Sequence, residues 1–95
     1  MMNSYEVIFI INPDTDEETT KALIEKFKAI IETEGHVGSV EEWGRRRLAY
    51  PIQDHNDGYY VLIEFESPAT FVSELERVLK ITDGIIKYLI IRKDV

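Results

Sequence analysis

No cysteine occurs among the 95 residues, which excludes disulfides and thiolate metal ligands and leaves no sign of an oxidising compartment. Positive charge is scarce too. Eleven Lys and Arg stand against eighteen Asp and Glu, a formal net charge of −7, and such a deficit argues at first against a polyanionic partner, which attracts basic surfaces. Long apolar runs are missing: Val7 to Ile11 is too short for a signal core or a membrane span, and Met1-Met2-Asn3-Ser4 has no basic lead. A soluble cytoplasmic protein, with no membrane contact, is the expectation. Only two histidines are present, His36 and His55, both at element ends and without ligand-like spacing to a carboxylate cluster, so they read as exposed loop residues rather than metal ligands or acid–base groups. No nucleophile elbow surrounds any serine and no glycine-rich phosphate loop precedes a helix. The chain is therefore read as neither an enzyme nor a metal or cofactor binder.

What is present is a globular composition, 44% apolar and 31% charged, of a size that fits one domain over residues 1–95 with a two-layer core. Val7, Phe9 and Ile11 alternate with Ile8 and Ile10, a strand apolar on both faces and hence central in its sheet. Asn12-Pro13-Asp14 is a turn, and Thr15 to Glu18 fits a capping box with Thr15 as cap. Leu23, Phe27, Ile30 and Ile31 then form a helical stripe, with Gly35 as C-cap. A long strand runs from His36 to Ile52, where Gly38 or Gly44 marks a bend or bulge. Gln53 to Gly58 reads as a hairpin connection. In the next strand Tyr59, Val61, Ile63 and Phe65 share a face opposite Tyr60, Leu62, Glu64 and Glu66. Ser67-Pro68 opens a second helix with the stripe Phe71, Leu75, Val78 and Leu79, Thr82-Asp83-Gly84 closes it, and Ile85 to Arg92 is the last strand.

The order strand, helix, strand, strand, helix, strand is two βαβ units. Each helix must bury its stripe against the sheet, and right-handed crossovers give an α+β ferredoxin-like plait: a four-stranded antiparallel sheet, order 4-1-3-2, with both helices on one face. Such a plait raises the RNA recognition motif, but Val61 and Glu64 stand where its third strand needs stacking aromatics.

The one dense basic cluster lies in Trp43-Gly44-Arg45-Arg46-Arg47-Leu48-Ala49-Tyr50-Pro51-Ile52. Straight alternation sends Trp43, Arg45, Arg47 and Ala49 to one face and Arg46, Leu48, Tyr50 and Ile52 to the other, the latter being the core side. Two readings stand side by side: an edge strand guarded by charge, or a binding surface in which Trp43 stacks while Arg45 and Arg47 contact phosphate. Charge distribution favours binding. Residues 84–95 carry an excess of two positive charges, with Lys87, Arg92 and Lys93 on the last strand and just beyond it, whereas residues 1–34 carry an excess of five acids.

Gly44-Arg45-Arg46-Arg47-Leu48-Ala49-Tyr50-Pro51-Ile52, with Tyr5-Glu6 opening the first strand, Asn12-Pro13 closing it and Asp57-Gly58-Tyr59-Tyr60 in the hairpin, resembles the bacterial small-subunit ribosomal protein six family. The resemblance runs from Tyr5 to about Arg92. It implies a structural ribosomal protein without catalytic activity, cofactor or small-molecule substrate, which binds the central domain of small-subunit ribosomal RNA jointly with small-subunit protein eighteen as a heterodimer. Arg45, Arg46 and Arg47 match the family's basic segment; Tyr5, Lys87 and Arg92 match positions near its RNA-facing region, and Trp43 and Lys93 join them as candidates for RNA or partner contact. A plait-fold ligand-binding dimer or small enzyme, with the open sheet face as pocket wall, is the alternative.

Overall fold

The computed structural model describes residues 2–52 and 55–93, with side chains described except at 49–52. Six elements follow one another: β1 (Asn3–Ile11), α1 (Glu17–Glu32), β2 (His36–Ile52), β3 (His55–Ser67), α2 (Ala69–Ile81) and β4 (Ile85–Arg92). The strands pair antiparallel in the order β2-β3-β1-β4, the expected plait. β1 and β3 take the centre because both are apolar on two sides: Val7, Phe9, Val61 and Ile63 are buried towards the helices, and Ile10 and Leu62 are buried as well on the opposite face.

Both helices cover one face of the sheet. Leu23, Ile24, Phe27 and Ile31 of α1 and Phe71, Leu75 and Leu79 of α2 join Val7, Phe9, Ile11, Val61, Ile63 and Phe65 in one cluster. Phe27 packs 5.1 Å from Phe9, and Phe71 meets Phe65 edge-on at 6.5 Å, contacts of a kind that add roughly 0.5–1.5 kcal/mol beyond area burial. Ile24 is a core residue that the four-position stripe omitted; it lies one step around the helix from Leu23.

Several local expectations shift by a residue or two. The cap of α1 is Asp16, not Thr15: the Asp16 carboxylate accepts from the Thr19 N–H at 2.7 Å, while the Thr15 N–H is used in the preceding turn, donating to the Asn12 carbonyl at 3.0 Å. A carboxylate is the stronger acceptor for the exposed amides of a first turn. Gly35 donates to the Ile31 carbonyl at 2.8 Å, as a residue closing the helix should, but its φ is not positive. Glycine is required there because a Cβ would lie 2.0 Å from the Glu66 carbonyl oxygen. Pro68 occupies the N-cap position of α2, and Ser67 is buried at the end of β3. His55, Asn56, Asp57 and Gly58 belong to β3 rather than to the hairpin connection, and pairing reaches Ile52↔His55. His55 therefore begins β3 instead of lying in the connection, and His36 begins β2 as expected. Gln53 and Asp54 fall outside the described residues, and so do the side chains of Ala49, Tyr50, Pro51 and Ile52; Leu48 is buried, but it does not join the helix–sheet cluster that its expected core side implies.

Candidate nucleic-acid interface

β2 is an edge strand whose alternation is interrupted. Against β3 it carries one surplus residue between Val37 and Ser39 and another between Glu42 and Gly44. The second bulge is made possible by Gly44, at φ +79 with nothing within 4 Å of a Cβ, a backbone region that costs other residues roughly 1–2 kcal/mol. Because Trp43 is the surplus residue, it shares a face with Gly44 instead of with Arg45. Its ring stacks on Tyr60 at 6.4 Å and 16°, and the Arg46 guanidinium lies 5.5 Å from its centroid. The expected grouping of Trp43 with Arg45 and Arg47 is thus replaced by Trp43 with Arg46 and Tyr60, on the sheet face away from the helices, so the Arg46 face is not the core side that straight alternation implies.

Arg45 and Arg47 point the other way. Their cross-strand partners are Tyr59 and Asp57, and Tyr59 packs against the core on the helix side. Arg45 forks onto Asp57, with Nε to Oδ2 at 2.6 Å and Nη2 to Oδ1 at 3.5 Å. That hydrogen bond, then the Asp57 charge and the more distant Asp14, raise the guanidinium's affinity for its proton. Beside it the Tyr59 hydroxyl donates to Glu42 at 2.8 Å, which pushes the phenol pKa up. Arg45, Arg46, Arg47, His55, Asn56 and Asp57 meet the turn residues Pro13 and Asp14 around an open polar groove of about 600 Å³. His55 and Asp57 are groove residues outside the candidates that the sequence offers, because Gln53 to Gly58 reads there as a hairpin connection.

The other candidates are not gathered at this groove. Lys93 lies at the far end of the sheet, bonded to Glu64 at 2.5 Å; Ser39 donates to the other oxygen of that carboxylate at 3.0 Å. The Lys93 bond is the larger cause of a lowered Glu64 pKa, and the same bond raises that of Lys93. Arg92 donates to the Asn3 side chain at 3.0 Å, and Lys87 is opposite Ile10 on the open face. Tyr5 is 5% exposed and stacked on Phe65 at 5.5 Å, so its ring belongs to the core and is not available for stacking on a partner.

The open face is not mainly charged. Register puts Leu89 beside Ile8 and Leu62, and Ile91 beside Glu6 and Glu64, so an apolar band crosses the sheet from Trp43 and Tyr60 to β4. Leu89, Trp43 and Ile91 are 53%, 38% and 37% exposed. The signal was present in β4, where Leu89 and Ile91 alternate with the inward-facing Tyr88 and Ile90. Among the described residues no group of three His, Asp or Glu side chains converges as a metal site, and no helix is long and apolar enough to cross a membrane.

Comparison with known proteins points one way. The family described as Ribosomal protein S6 matches residues 4–92. Small ribosomal subunit protein bS6 of Clostridium novyi (strain NT) is 53% identical over 94 residues, spanning 98% of this chain and 99% of that protein. The bS6 protein of Caldanaerobacter subterraneus subsp. tengcongensis is 52% identical over 94 residues with the same shares covered. The crystal structure of 30S ribosomal protein S6 from Thermotoga maritima superposes with a TM-score of 0.93 at 36% identity, covering 98% of this chain and 89% of that one.

Proposed function

The chain belongs to the ribosomal protein S6 family, and from that membership we propose that it is a structural component of the small ribosomal subunit in the cytoplasm. In this reading it binds central-domain small-subunit ribosomal RNA as a heterodimer with small-subunit protein eighteen. The relatives it matches are ribosomal structural proteins rather than enzymes. The observation that carries the RNA reading is the groove, where three arginines and a histidine gather in a chain of net charge −7. Guanidinium groups on a bulged edge strand are suited to phosphate contact, which fixes position without reading sequence. Lys87 and Arg92 on β4 add positive charge at separate places, Lys87 opposite Ile10 on the open face and Arg92 opposite Tyr5 at the strand's end.

The open face supports the partner's side of the proposal. Its apolar band is bordered by Glu6, Glu41, Glu64 and Glu66, so a basic protein with an apolar surface fits it in both hydrophobicity and charge. Such a partner also supplies phosphate neutralisation that this acidic chain lacks. A two-arginine contact gives only modest affinity, because each phosphate neutralised contributes about 0.7–0.9 to the log–log salt slope.

The test is binding to a central-domain ribosomal RNA fragment, with and without protein eighteen, for the wild type and for Arg46→Ala/Arg47→Ala. Expected are binding that depends on the partner and a salt slope shallower by about 1.4–1.8 in the double variant. No binding under either condition, or equal binding with and without the partner, overturns the reading.

A further inference from the structure

We propose that Asp57 is an internal counter-ion that withholds Arg45 from phosphate, so that this acid sets the strength and salt dependence of RNA binding at the groove. The inference rests on the RNA reading above and concerns how the same site is tuned. Three consecutive arginines suggest three equivalent phosphate contacts, but their surroundings differ. Arg46 leans on the Trp43 ring on the open face. Arg47 lies directly opposite Asp57 in the β2–β3 register, and Arg45 lies diagonal to it. Asp57 therefore stands on the same side of the sheet as both, within the basic cluster.

Its bond to Arg45 uses Nε and one terminal nitrogen, the side-on edge that a guanidinium otherwise offers to two phosphate oxygens. A carboxylate already holds the position that a phosphate would take. Asp14, across the groove, adds a second negative charge felt by Arg45, whereas Glu42, on the same side, is engaged by the Tyr59 hydroxyl. A phosphate approaching Arg45 must displace Asp57 and meet its repulsion. One approaching Arg46 or Arg47 does not have to break that fork.

The experiment measures binding of the protein, with its small-subunit partner present, to the central-domain RNA fragment at salt from 50 to 200 mM. The variants are Asp57→Asn, Arg45→Ala and the combination. Asn keeps an acceptor for Arg45 but removes the charge. Asp57→Asn is expected to bind more tightly than wild type at low salt, and its affinity is expected to fall by a further factor of about three across that salt range, the signature of one added phosphate contact. Arg45→Ala alone should bind no more tightly than wild type, because it frees the Asp57 charge beside Arg47 without adding a phosphate contact, and the combination should lose the gain that Asp57→Asn shows. Thermal unfolding of each variant separates these effects from misfolding, and Asp57→Ser, which also removes the charge, tests the idea if Asp57→Asn does not fold. Unchanged or weaker binding by a folded Asp57→Asn overturns the proposal, as does a combination that keeps the gain. Wild type that fails to bind the RNA at all overturns the parent reading instead.

Discussion

Single residues decide where this chain tolerates no change. At Gly58 a Cβ would lie 2.3 Å from the Ile10 side chain, inside the sheet, whereas at Gly44 the space is open and only the backbone, at φ +79, is demanding. Gly58→Ala should therefore cost on the order of 1–3 kcal/mol by overpacking, and Gly44→Ala roughly 1–2 kcal/mol by strain. Urea unfolding checks both, and a companion Ile10→Leu change, which removes the Cγ2 branch that the new Cβ would strike, should rescue Gly58→Ala but not Gly44→Ala. Acidity acts at residue scale as well. Asp16, Glu64 and Glu74 all have folded-state pKa values below the ordinary carboxylate range, lowered chiefly by hydrogen bonds from Thr19, Lys93 and Arg77. A depressed carboxylate contributes stability that is present above its unfolded pKa and lost as pH falls through its folded pKa. Stability should therefore decline on acidification below about pH 4, and Glu64→Gln should flatten that decline when unfolding is followed from pH 5 downwards. Of the candidate site residues, Arg45, Arg46 and Arg47 were legible in the sequence as a cluster. Their division, Arg45 and Arg47 against Arg46, was legible as well; the place of Trp43 was not, because the surplus residue there puts its ring on the face of Arg46.

At the scale of elements, the sequence was most informative where a pattern repeats. Both helical stripes and both two-sided strands were readable from spacing alone, and with the crossover rule they fixed the strand order. Truncating the stripes should show it: Phe27→Ala and Leu75→Ala are expected to cost about 2–5 kcal/mol in urea unfolding, because both side chains are buried at the helix–sheet layer. Arg46→Ala, on an exposed edge, should change stability by less than about 0.5 kcal/mol. Equal small losses at all three would contradict the packing described. Element ends were harder to read. Thr15 and Asp16 are both competent caps, and only the geometry of the Asn12 turn selects between them. Asn56-Asp57-Gly58 has turn composition, yet pairing with β2 carries it into β3, and its glycine answers to a crowded neighbour rather than to a positive φ.

For the molecule as a whole, two surfaces of different character lie on one sheet: a polar groove at one end of the β2–β3 pair and an apolar band across the open face. Trp43 is the only tryptophan and lies on that band, so it reports on one surface alone. Titration with the basic partner should shift its emission to the blue as water leaves the ring, whereas Arg47→Ala should leave that shift intact while weakening RNA binding. An unchanged emission on complex formation would move the partner off the open face. The bulges of β2 have a consequence for how such a strand can vary between relatives. Each is a place where the strand already holds one residue more than its neighbour needs, so losing Trp43 would close the gap while Glu42↔Val61 and Gly44↔Tyr60 kept their partners. They act as expansion joints: changes of length can be absorbed at Gly38 or Trp43, and the arginines beyond them stay in step with β3.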